Sequence, residues 1–135
     1  TSAYTCFSAF LVMQMNGLTT SIYTMNLLQG NGTTASSNSY SSITFISTDN
    51  GLVGSTATGN TFNNAEIYIP NYLSSNNKSV SVDSVAENNA TAGYNVLNAG
   101  LMASTAAITS LTFFSGGSAN LAQYSTFTLY GISNA

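Results

Sequence analysis

Short alternating runs of apolar and polar residues, cut at close intervals by Asn, Gly and Ser, constrain this chain more than any other feature. The first run is 4–15, where Phe7, Ala9, Leu11, Met13 and Met15 share one parity, and it stops at Asn16–Gly17. That dipeptide readily adopts the positive φ of a hairpin turn. The run 21–29 follows, with Tyr23, Met25 and Leu27 on one face, and then a polar, glycine-containing loop over 29–39. A strand is expected over 41–48, a loop over 49–60, a strand over 65–72, a turn over 74–78 and a strand over 79–85. In the last of these Val80 and Val82 share a face, but Val85 has the opposite parity. A β-bulge near Asp83–Ser84 is the simplest way to bury all three. A turn over 87–93 precedes 94–104, which fits either a strand or a short helix, and further strands are expected over 106–114 and 123–132. Turn signals at about 8–12-residue spacing belong to sandwiches and barrels. The expectation is one domain, 1–135, all-β: an antiparallel, jelly-roll-like β-sandwich of about eight short strands.

Charge is nearly absent. Asp49, Glu66, Asp83, Glu87 and Lys78 are the only ionic side chains in 135 residues, giving a formal net charge of −3. Ser, Thr, Asn and Gly replace them, so copies of this chain repel one another weakly. A nucleic-acid partner is not expected, because phosphate binding needs Lys and Arg. Alternating apolar residues in nearly every segment argue against disorder.

The residue types also narrow the chemistry. Histidine is absent, which removes the usual general base and the usual zinc ligand. Serines abound, but with Lys78 as the single side-chain amine they have no conventional activating partner. Cys6 is the lone cysteine, read as a buried strand residue. The stretch GSTATG at 54–59 lacks the lysine and helix of a P-loop, and no calcium-loop pattern surrounds Asp49, Asp83 or Glu87. Glu66, Asp83 and Glu87 lie within 22 positions, and paired carboxylates on adjacent strands could serve a glycosidase. The stronger reading is solvated or capping carboxylates, with Lys78 as their counter-ion. No catalytic residue, cofactor or metal site is expected. No apolar run reaches the roughly 18 residues of a membrane-crossing helix, so membrane insertion is not expected either. The apolar stretch 9–15 has neither the basic flank nor the cleavage site of a signal peptide. Sequons occur at Asn31, Asn77 and Asn89, a number that chance supplies in so Asn- and Ser-rich a chain. Tyr68, Tyr72, Tyr94, Tyr124 and Tyr130 lie on or beside expected strands, and subunit packing or an ordinary place at the rim of the core is favoured for them over ligand stacking.

Residues 66–72 read EIYIPNY, and they place one of the few charges and the only proline around a strand core. Proline cannot donate to a ladder, so it belongs at a sheet edge or a strand end. From here the chain resembles a family of small jelly-roll virion structural proteins of tailed bacteriophages, notably phages of aquatic bacteria. The resemblance is carried by EIYIPNYLSSNNKSVSVDSVAENNATAG, GL, TAAITSLTFF and QYSTFTLYGI, across about 60–132, with GNGTTASS at 30–37 similar to a family loop. Met102 stands where the family commonly has Trp, and Ser133–Asn134–Ala135 where a basic residue often ends it. The opening TSAYTCFSAF matches poorly, so the strand over 4–15 is expected to be shared with, or completed by, a neighbouring subunit. The resemblance implies a non-enzymatic protein on the virion surface, as capsid decoration or a tail-fibre component. It also implies self-association, with a homotrimer expected, and contact with other virion proteins. Two alternatives follow from composition. One is a carbohydrate-binding host-adhesion module, using loops 30–40 and 49–60 on host surface glycans. The other is a subunit of a secreted filament completed by strand donation.

Overall fold

A computed structural model describes residues 10–53, 59–87, 93–116, 120–121 and 123–132. The chain is all-β, with eight strands: β1 (Phe10–Met15), β2 (Tyr23–Gly30), β3 (Ala35–Ile43), β4 (Ile46–Ser47), β5 (Asn63–Tyr68), β6 (Lys78–Glu87), β7 (Gly93–Met102) and β8 (Leu111–Gly116). They form two antiparallel sheets, one of three strands in the order β4-β1-β8 and one of five in the order β3-β2-β7-β6-β5. The β-sandwich expected from the alternating pattern is therefore present.

The inward faces follow that alternation closely. Tyr23, Met25 and Leu27 of β2, Val80 and Val82 of β6, and Val96 and Met102 of β7 pack against Met13 and Met15 of β1 and Ile46 of β4. All four methionines of the chain, Met13, Met15, Met25 and Met102, are buried here. Unbranched and polarisable, they fill the irregular gap between two sheets of unequal size. Tyr23 is fully buried, and its hydroxyl accepts from the Met15 N–H at 3.1 Å and faces the carbonyl oxygens of Leu18 and Met15. That satisfied hydroxyl lets a tyrosine occupy a core position.

The strand expected over 41–48 is divided, with 41–43 ending β3 and 46–47 forming β4 in the other sheet, and four further segments differ from the sequence reading. The loop expected over 29–39 is mostly strand. Only 31–34 turn, closed by Asn31 Oδ1, which accepts from the N–H groups of Thr33 (3.0 Å) and Thr34 (2.8 Å). Ala35–Ile43 then pairs with β2 along its length. Its composition gives no strand signal because eight of its nine residues are exposed, and backbone pairing holds it, with one side-chain bond from Gln29 Nε2 to Ser36 Oγ at 3.1 Å. The expected bulge in β6 is absent, since β6 stays in register with β7 from Lys78 to Glu87. Val85 instead points outward; exposing one valine is a smaller penalty than breaking a ten-residue ladder. The register shift in this sheet lies elsewhere, between Tyr23 and Met25 against β3, where Ser42 has φ 55°. The ambiguous stretch 94–104 is strand β7, and the strand expected over 106–114 starts only at Leu111.

Residues before Leu111 are held by a side chain. Asn16, at φ 55° in the turn with Gly17, donates from Nδ2 to the Ala107 carbonyl at 2.8 Å. Its Oδ1 accepts from the N–H groups of Thr109 (2.8 Å) and Ser110 (3.2 Å). The fourth difference is at the end. Residues 123–132, expected as a strand, carry no strand pairing among the described residues. Of the opening run, 10–15 form β1, while 4–9 and Cys6 lie outside the described residues.

Candidate functional site

The outward face of the five-stranded sheet brings together Glu66, Asp83 and Tyr68 of the candidate residues. Register alone builds it. One row across the strands is Ser37, Leu28, Leu97, Asp83 and Glu66, and the next is Ser39, Asn26, Ala99, Ser81 and Tyr68. They border an open groove of about 550 Å³ with Asn26, Leu28, Tyr68, Leu97, Glu66 and Asp83 among its walls. Leu28 and Leu97 are more than half exposed, and so is Tyr68.

Glu66 and Asp83 stand directly opposite one another on β5 and β6. Cross-strand partners have Cβ atoms about 4.5–5.5 Å apart, so the two carboxylates share one small region of the surface. A carboxyl that works as a general acid is ordinarily shielded from water by apolar neighbours. Both of these side chains are exposed. Glu87 does something else. Its Oε1 accepts from the Phe62 N–H at 3.3 Å, next to the start of β5. Asp49 is half-buried at φ 47°, and burial raises its carboxyl above the usual value.

Lys78 corrects the sequence reading most sharply. It is not a counter-ion for these carboxylates. It opens β6 on the inward face, is 1% exposed, and its Nζ donates to the carbonyl oxygens of Ser74 (2.8 Å), Asn76 and Ser104 (3.5 Å). Strand parity decides this: Lys78 shares a face with Val80 and Val82. The ammonium is thus solvated by backbone dipoles, and it ties the turn after β5 to the segment after β7. Its positive charge is thereby kept off the outer face, where Glu66 and Asp83 stand among neutral residues.

A second polar group lies inside. Asn98 is buried among the core residues and donates from Nδ2 to the Ser47 carbonyl at 2.8 Å, joining β7 to β4 across the sandwich. Its Oδ1 has no hydrogen-bond partner among the described residues. Ser84 and Thr48 continue this polar seam, with Ser84 Oγ donating to the Thr48 carbonyl at 3.4 Å. Sequence reasoning missed both features, because a lone Lys or Asn at an inward parity carries no motif.

The remaining candidates are scattered. Tyr72, Tyr124 and Tyr130 are exposed, whereas Tyr94 is half-buried near Gln29 and Asn50 at the far end of the sheet. Of the sequons, Asn31 closes the β2–β3 turn, Asn77 is exposed, and Asn89 lies outside the described residues. Among the described residues no group of three or more Cys, Asp or Glu side chains could hold a metal ion, and no helix is long and apolar enough to cross a membrane. Comparison with family models, with curated proteins and with solved structures returned no match.

Proposed function

We propose that this chain is a non-enzymatic structural protein of a phage virion surface, either decorating the capsid or forming part of a tail fibre, and that it assembles by packing against copies of itself. One observation carries the assembly part. The exposed charged residues are Glu66 and Asp83 alone, whereas residues 1–48 and 88–135 contain no charge and still expose large apolar side chains, among them Leu101, Phe114, Phe127 and Leu129. Large apolar side chains exposed with so little charge around them support contact between copies. The placement on a virion rests on the set of residues from EIYIPNY to QYSTFTLYGI, and with it the jelly-roll connection of the strands. Cyclic symmetry fits a self-contact of this kind, and a homotrimer is the proposed state. Mass spectrometry and immunogold labelling of purified particles test the placement. Absence of the protein from intact virions would overturn it.

The groove on the five-stranded sheet favours a second reading, adhesion to host glycans. Tyr68 offers a ring face, Leu28 and Leu97 apolar contact, and Asn26, Glu66 and Asp83 partners for sugar hydroxyls. A glycan array decides this, with Tyr68→Ala as control. No binding at high protein concentration removes the reading. Strand donation in a secreted filament is the remaining alternative, and particle composition separates it from the first.

A further inference from the structure

The two edges of the five-stranded sheet are built differently. One edge, β5, is six residues long, carries Glu66, and is followed two residues after its end by Pro70. Charge and proline near an edge limit further pairing. The other edge, β3, has nine residues and contains neither a charge nor a proline. It is also uncovered on both sides: Ser36, Asn38 and Tyr40, which by register share the inward face with Gln29, Leu27 and Met25, are exposed. A long, uncharged, uncovered edge is a template for another strand.

The same chain carries a segment with the opposite lack. Residues 123–132 alternate aromatic, β-branched and aliphatic residues, as a strand does. Tyr124 is 88% exposed, Leu129 83% and Tyr130 82%, with Phe127 and Ile132 also exposed. Among the described residues no backbone hydrogen bond reaches this segment. What attaches it is a ring contact, Phe127 on Phe113 of β8, with centroids 5.4 Å apart.

We infer that residues 123–132 of one copy add as a strand to the β3 edge of a second copy. This rests on the self-association reading above and names its surface. Three observations select a second copy as the occupant. Donor segment and open edge are present in the same chain, and they match in length, ten residues against nine. Residues 1–48 and 88–135 contain no Asp, Glu, Lys or Arg, so neither partner repels its equivalent or attracts a charged protein. Edge protection is found at β5 and not at β3. Main-chain hydrogen bonds give such a pairing its affinity, and the large side chains of the donor cover the bare inward side of β3. A contact in which each copy gives one surface and receives another is head-to-tail, and it closes into a ring where the rotation between copies permits.

The test compares three chains by sedimentation velocity and hydrogen exchange: the full chain, a chain ending at residue 122, and Asn38→Lys. The full chain is expected to be an oligomer with slowed exchange at both 35–43 and 123–132. Truncation and Asn38→Lys should each weaken association by about tenfold or more and restore fast exchange at 35–43. Both altered chains should still unfold cooperatively in urea, since both sites are exposed and the core is untouched. A peptide of residues 123–132 added to the truncated chain should slow exchange at 35–43 again. Three results overturn the inference: an oligomer that survives both changes, a monomeric full chain, or protection of 123–132 within a monomer, which means docking on its own β8. The particle experiment is independent. A chain found in virions whose oligomer ignores truncation loses this inference and keeps the proposed function, and the converse result does the reverse.

Discussion

Ile46 of β4 lies directly on the backbone of Gly100 in β7: a methyl group at Gly100 would stand 2.4 Å from Cδ1 of Ile46. Both residues are buried, and the contact sets how closely the small sheet approaches the large one. Gly100→Ala forces Ile46 out of place and should destabilise the protein by about 1–3 kcal/mol. Ile46→Val removes Cδ1, so the double substitution should recover part of that loss. A double-mutant cycle by chemical denaturation reads the coupling, and strict additivity would falsify the contact.

The buried Lys78 ammonium is a structural cation. Lys78→Met keeps the length of the side chain and leaves the carbonyl groups of Ser74, Asn76 and Ser104 without their donor. Orphaning buried acceptors costs about 1–3 kcal/mol each when nothing replaces the donor, and water reaches part of this rim, so an overall loss of about 2–4 kcal/mol is expected in urea unfolding. Lys78→Arg should not restore stability, because a planar fork does not fit a pocket shaped for a compact ammonium.

Asp49 gives a pH dependence with a definite sign. Burial raises its folded-state pKa above the value in the unfolded chain. Its stabilising contribution is therefore complete below the unfolded pKa, near 3.8, and is lost as pH rises through the folded pKa. Asp49→Asn keeps a residue tolerant of φ 47° and removes the carboxylate. The variant should be more stable than the parent at pH 7, and the difference should vanish near pH 3. Equal gains at both pH values would show that the carboxylate is not the cause.

Glu66 and Asp83 face each other as like charges on an exposed edge. Neutralising either one, as Glu66→Gln or Asp83→Asn, should stabilise the fold slightly, by no more than about 0.5 kcal/mol because both are in water. The gain should shrink in high salt. If these carboxylates serve glycan adhesion instead of edge protection, the same substitutions lower binding on the array while stability rises.

The alternating runs, read alone, determined that the chain is all-β, that its strands are short, and which faces of β2 and β6 are buried, whereas 94–104 fitted a strand or a short helix equally and β7 was decided by its pairing with β2 and β6. Parity is a local property, and burial on one face enforces it along each strand. The proline of EIYIPNY pointed to a sheet edge or a strand end, and β5 is an edge strand that stops at Tyr68, before Pro70. Neither the polar edge nor the terminal run was legible. Ala35–Ile43 is a strand only because β2 supplies partners for its backbone, whereas 123–132 has strand residues and no described partner. Pairing is decided by what lies alongside, which composition does not encode. The same holds for charge. The sequence shows one lysine among four carboxylates and suggests an ion pair. The tertiary structure turns that lysine inward to three carbonyl groups and leaves the carboxylates outside, because the strand it begins has only two faces and Val80 fixes which one is buried.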